Sequence, residues 1–160
     1  NESDQQEDIT IPLRAALPDV VANYVTPTGL RQLKDEAIEL QQSADELNLE
    51  DEDERRRALT LINGKMALLN RRIASAQLVD LAQQPTEEVR FGATVTVVDE
   101  ASKKEQQYQI VGVDEADIKQ RKIAFVAPVA RALTGLWKDE TAELRLGKEL
   151  KKLRVVSISY

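Results

Sequence analysis

The chain of 160 residues has no cysteine and no histidine. Without Cys there are no disulfides, thiol nucleophiles or thiolate metal sites, and without His the commonest zinc ligand and the usual neutral-pH base are missing. Side-chain chemistry is left to carboxylates, Lys, Ser, Thr and Tyr. No apolar run approaches the ~18 residues of a membrane span and no signal-peptide core is visible, so a cytoplasmic protein without membrane contact is expected. A basic surplus is missing too. The net charge of −6 is spread as −4 over residues 1–24, −3 over 25–80 and +1 over 81–160. A protein held mainly by phosphates shows a basic face, so sequence-specific DNA binding is not expected and a large, mostly protein partner fits better.

What is present is a hydrophobic pattern that folds back on itself. Apolar positions fall at Leu30, Leu33, Ala37, Leu40, Ala44 and Leu47, then at Leu59, Ile62, Met66, Leu69, Ile73 and Ala76. Both runs alternate steps of three and four, the a/d repeat of a coiled-coil seam. The two runs are mirror-symmetric about Asp53, which predicts an antiparallel helical hairpin over residues 25–80. Its tip is Glu50-Asp51-Glu52-Asp53-Glu54, an unbroken run of carboxylates followed by Arg55, Arg56 and Arg57. Thr26-Pro27 marks the first helix, with a capping hydroxyl and a Pro tolerated at the first helical position. That helix is expected over 27 to about 47, roughly 30 Å long. The second is expected to start near Asp51 or Asp53, where an acid both caps free amides and suits the helix dipole.

On either side the composition changes. Residues 1–24 read as an acidic leader and connector: the first eight are polar and without periodicity, a composition too poor in apolar area to offset ordering entropy. Pro12 and Pro18 break any helix in Ile9 to Val21. Residues 81–90 read as a linker. From Phe91 the period becomes two. Strands are expected at 93–98, 107–111, 123–126, 142–146 and 153–158, with a short helix from Pro128 to Gly135. The predicted class is α+β: a coiled-coil hairpin followed by a small antiparallel-sheet domain over 91–160.

The phrases Phe91-Gly92-Ala93-Thr94-Val95-Thr96-Val97, Tyr108 through Asp117, and Pro128 through Gly135 resemble the C-terminal domain of the bacterial Gre transcription factors. Tyr24-Val25-Thr26-Pro27-Thr28-Gly29-Leu30 and Ala76-Gln77-Leu78-Val79-Asp80 extend the resemblance to both ends of the hairpin, so it spans residues 24–160. It implies an FKBP-like second domain that docks on RNA polymerase and a hairpin that enters the polymerase secondary channel. It further implies a monomeric accessory factor rather than an enzyme, with no tightly bound cofactor. In that family, tip carboxylates help hold a Mg²⁺ ion shared with the polymerase and promote cleavage of backtracked RNA, chemistry that hard oxygen ligands suit. Glu50, Asp51, Glu52, Asp53 and Glu54 are the corresponding candidates, and Arg55, Arg56 and Arg57 are candidate contacts to nascent RNA or polymerase. Asp114, Glu115, Asp117, Pro128 and Arg131 are the candidate partner-binding residues.

Two departures qualify the resemblance. The family's tip pattern, Gly-Asp followed three residues later by Glu-Asn, is replaced by Leu49-Glu50-Asp51-Glu52-Asp53-Glu54. Each arm is also about one heptad shorter, a loss of roughly 10 Å of reach. The expectation is a channel binder that competes with longer factors, with cleavage stimulation left open. In the docking loop, Val126-Ala127-Pro128 lacks the family's polar residues but keeps Pro128 and Arg131. The plainer readings are a solvated acidic turn, arginines serving i,i+4 pairing, and Asp114, Glu115 and Asp117 shaping a turn. Trp137 reads as a core or rim anchor. Two other functions remain: an FKBP-like prolyl isomerase, although Phe91, Tyr108, Phe125, Trp137 and Tyr160 show no cluster in the sequence, and a non-catalytic coiled-coil adaptor.

Overall fold

The computed structural model describes residues 9–160; the polar start of the leader, expected to be unfolded, lies outside the described residues. Two long helices form the hairpin, α1 (Pro27–Asp45) and α2 (Glu52–Ser75). Helix α1 opens as its sequence requires: Thr26 is extended and its hydroxyl accepts from the Gly29 amide, with Pro27 in the first turn. Helix α2 opens at Asp51, whose Oδ1 accepts from the amides of Asp53 and Glu54 at 2.8 and 3.1 Å. The seam is the one the repeat predicts. Leu33 and Leu69 are buried, with Leu30, Ala37, Leu40, Met66, Ile73 and Ala76 packed against them, and Val25 joins from outside the helices. Towards the tip Ala44, Leu47, Leu59 and Ile62 are half-buried.

A short pair of strands ties the foot of the hairpin together, and the sequence pattern did not reveal it. Strand β1 (Asn23–Val25) lies parallel to β2 (Ala76–Leu78), in register Asn23 with Ala76 through Val25 with Leu78. Three-residue strands carry no readable period. Helix α2 feeds directly into β2, so a parallel partner must run away from the helices and then reverse. The reversal occurs at Thr26-Pro27, which explains why the cap and the proline stand there.

The second unit is a five-stranded sheet in the order β5-β4-β3-β7-β6. Its strands are β3 (Thr94–Asp99), β4 (Glu105–Val111), β5 (Lys122–Ala124), β6 (Thr141–Leu146) and β7 (Glu149–Ser159). The sheet is mixed rather than wholly antiparallel, because the edge pair β4–β5 is parallel. The chain crosses from Val111 to Lys122 through Gly112 to Arg121, a connection long enough to bring β5 in alongside β4 in the same direction. A shift of register opposite Thr96 and Val97 bends β7. Helix α3 (Pro128–Leu133) covers one face, and Val95, Val97, Ile110, Ala130, Leu133 and Val155 meet in the core.

The segments expected to be mere connectors pack into this frame. In the expected linker 81–90, Val89 is fully buried in the sheet core, and its amide and carbonyl pair with Leu136 and Gly135. Burial of an apolar side chain with both backbone groups satisfied makes this part of the domain. Residues 9–22 run along the hairpin rather than away from it. Gly64 illustrates the fit: a glycine inside α2 costs about 1 kcal/mol against alanine, and the space a Cβ would occupy is filled by Ile11, whose Cδ1 lies 1.6 Å from that position.

Candidate functional site

Three groups of residues stand apart from the core: the acidic tip, a charged junction at the foot of the hairpin, and an aromatic pocket beside it. At the tip, Glu50 and Asp51 lie before α2, and Glu52, Asp53 and Glu54 form its first turn. All five side chains are exposed. Their interactions are local. Asp51 caps the helix, and Asp53 pairs with Arg56 at 2.7 Å, while Arg55 and Arg57 project into solvent. Among the described residues, no three acidic side chains converge on a point that could hold a metal ion. The tip by itself therefore does not fit a Mg²⁺ site; it is an exposed negative surface presented at the far end of the hairpin.

The junction is built from the loop after β4. Asp114 and Glu115, expected as contacts for a partner, are turned inward, their side chains 6% and 2% exposed. Glu115 accepts from the Thr26 hydroxyl at 2.5 Å and pairs with Lys122 at 3.3 Å. The same hydroxyl takes the Gly29 amide at 2.9 Å, so one carboxylate supports the cap of α1 from the other domain. Close approach makes two glycines necessary. A Cβ on Gly29 would lie 2.7 Å from Glu115 Oε1, and one on Gly112 would lie 2.5 Å from the Tyr24 carbonyl oxygen. Asp114 receives Arg14 Nε at 2.9 Å and Arg72 Nη1 at 3.1 Å, and Arg14 also pairs with Glu36 of α1. Burial pulls the Arg14 guanidinium down, but the hydrogen bonds and charges of Glu36 and Asp114 outweigh it and hold the group above its ordinary value. Asp117 shapes a turn, accepting from the Lys119 amide at 3.0 Å. Each of the three acids has a partner inside the molecule: Asp114 holds two guanidinium groups, Glu115 holds Lys122 and the Thr26 hydroxyl, and Asp117 holds the Lys119 amide.

The aromatic pocket is where sequence reasoning missed most. Phe91 and Phe125 of the sheet domain meet Tyr24 of β1 as a closed trio, with ring centroids 5.5 to 5.7 Å apart. Edge-to-face contacts of this kind fix ring orientation as well as burying area. The expectation that the aromatics do not cluster is corrected, because the third ring comes from the N-terminal arm, far from the other two in sequence. Tyr24, Phe91, Ile110, Phe125, Arg90 and Arg131 line a cavity of about 640 Å³. Pro128 opens α3 and is exposed; Arg131, one turn on, reaches the cavity wall. An apolar floor with two guanidinium groups at its edge suits an apolar side chain flanked by acids. Trp137, 51% exposed, lies outside it on the rim of the sheet domain, where its backbone bridges Glu88.

A helical hairpin standing on a curled mixed sheet, with an aromatic pocket at its foot, defines a two-part α+β protein. Residues 84–160 match the family model described as transcription elongation factor, GreA/GreB, C-terminal. The transcription elongation factor GreA of Brucella canis is 30% identical over 151 residues, covering 85% of this chain and 96% of that protein. The chain therefore belongs to the GreA/GreB family of transcription elongation factors. GreA of Maricaulis maris is 38% identical over 99 residues, and there the match spans only 62% of this chain and 63% of the relative. Among solved structures, a GreA/GreB factor from Nitrosomonas europaea aligns with 24% identity and a TM-score of 0.44, covering 86% of this chain and 98% of that one. The family assignment rests on the sequence matches.

Proposed function

We propose that this chain is an accessory regulator of bacterial RNA polymerase that docks through the aromatic pocket and directs its hairpin into the secondary channel. The observation that carries this reading is the placement of Arg131 and the Tyr24–Phe91–Phe125 trio on one concave surface at the foot of the arm. A partner seated there is held next to the hairpin's base, and the tip is then aimed by the rigid seam. The site of action is the cytoplasm, where the polymerase works. No catalytic group of the chain acts alone.

The tip geometry favours obstruction over cleavage. Asp51 caps the helix through Oδ1 and Asp53 forms an exposed pair with Arg56, so each would exchange a local partner to share a Mg²⁺ ion. In the channel, Glu50, Glu52 and Glu54 supply negative charge that competes with longer factors for the same entrance, and Arg55 and Arg57 are free to meet nascent RNA or polymerase. The prolyl-isomerase reading is not favoured, since one wall of the pocket is the hairpin's own Tyr24.

Two measurements test the proposal. Arg131→Glu, at an exposed position, is expected to weaken binding to core polymerase about tenfold, the effect of replacing attraction by repulsion at an interface edge; unchanged affinity would remove the pocket from the docking surface. Backtracked elongation complexes incubated with Mg²⁺ are expected to elongate more slowly without transcript cleavage. Cleavage that disappears in Asp51→Ala/Asp53→Ala would show instead that the tip carboxylates are active.

A further inference from the structure

We infer that residues 9–16 are an intramolecular latch that sets the angle between the hairpin and the sheet domain. The segment makes three separate attachments, two to α2 and one that bridges α1 and the loop after β4. Ile11 fills the notch at Gly64 on α2, where a Cβ would come within 1.6 Å of its Cδ1. Arg14 joins Glu36 on α1 to Asp114 on the loop after β4, the latter at 2.9 Å. The Ala15 carbonyl accepts from Arg72 of α2, and the same guanidinium gives Asp114 a bond of 3.1 Å. Helix α2 and the latch thus meet on the single buried carboxylate of Asp114, and Arg14 carries the link on to Glu36 of α1.

The geometry has a mechanical meaning. Without the latch, the hairpin and the sheet domain still touch through the β1–β2 foot, Glu115 and the Arg72–Asp114 pair, all at the base of the arm. Arg14 and Ile11 add attachments further along the arm, where a given force resists rotation with a longer lever. Gly64 is the complementary half of the device. Its missing side chain weakens the helix locally yet leaves the space that Ile11 fills, and this accounts for a residue that helix propensity disfavours. The inference concerns the free protein and does not depend on the polymerase reading.

The test uses the absence of cysteine, because Asn48→Cys near the tip and Ala101→Cys in the turn after β3 give two unique spin-label positions. Pulsed electron resonance on the full chain is expected to show one narrow distance distribution. Adding Gly64→Leu fills the seat with a strong helix former, so the helical circular dichroism should be kept while the distribution broadens and the amides of residues 10–16 exchange about tenfold faster. Arg14→Ala should broaden it in the same way. A distribution in Gly64→Leu as narrow as in the parent, with residues 10–16 released, would overturn the latch; so would unchanged exchange together with an unchanged distribution.

Discussion

The Tyr160 hydroxyl donates to the Glu88 carbonyl and accepts from the Arg90 amide, both at 2.7 Å, and so fastens the end of β7 to the segment entering the sheet. Burial raises its pKa above the ordinary 10.0; the Arg90 amide opposes this, Glu88 adds to it and the Arg90 charge subtracts. Because the folded value exceeds the unfolded one, the phenol's contribution is complete below pH 10.0 and is lost as pH rises through the folded value. Denaturant midpoints should therefore fall in that alkaline window for the parent chain. In Tyr160→Phe the fall should flatten, while stability at neutral pH drops by about 1 kcal/mol for the lost hydrogen bonds. Thr26 shows what could be read at this scale and what could not. Its role as a cap follows from Thr-Pro ahead of an apolar repeat, but the carboxylate behind it, Glu115, lies in the other domain and leaves no local sign.

Among the elements, α2 depends most visibly on one residue at its start. Asp51 satisfies two amides in the turn where Glu52, Asp53 and Glu54 also face the positive end of the helix. Asp51→Ala is expected to cost about 1 kcal/mol and to fray the first turn, read as a lower thermal midpoint and faster amide exchange at 53–55. The hairpin was legible because its repeat is long: a period sustained over six positions on each arm specifies both helices and their pairing. The first helix ends at Asp45, slightly before the point the repeat suggested, since Leu47 continues the seam without continuing the helix. The short strands β1 and β2, the parallel β4–β5 pair and the packing of Val89 were not legible. Each is decided by a neighbour distant in sequence, and β1 and β2 are too short to carry a period of their own.

For the molecule as a whole, the junction makes two units behave as one. Glu115 links Thr26 to Lys122, Asp114 links Arg14 to Arg72, and Gly112 admits the Tyr24 backbone. The parent chain should unfold in a single thermal transition. Glu115→Ala strands Lys122 without its buried partner and is expected to destabilise the junction by about 3 kcal/mol, splitting the calorimetric trace into an earlier hairpin transition and a later sheet transition. A single unsplit peak shifted as a block would mean that the seam and the sheet core are coupled by other contacts. The candidate site divides along the same line. The acidic tip could be placed from sequence because it lies at the symmetry point of the repeat, and its local ion pair and cap involve residues within one helical turn. The aromatic pocket and the inward turn of Asp114 and Glu115 could not, because they require the hairpin's foot to sit on the sheet. The sequence by itself determined the two arms, the cap at Thr26, the acidic tip and the strand-rich second half, all properties of spacing along the chain. Only the tertiary structure decided which charged residues are spent inside the molecule and which aromatics meet, since those outcomes are set by burial and by contacts between segments that no local pattern relates.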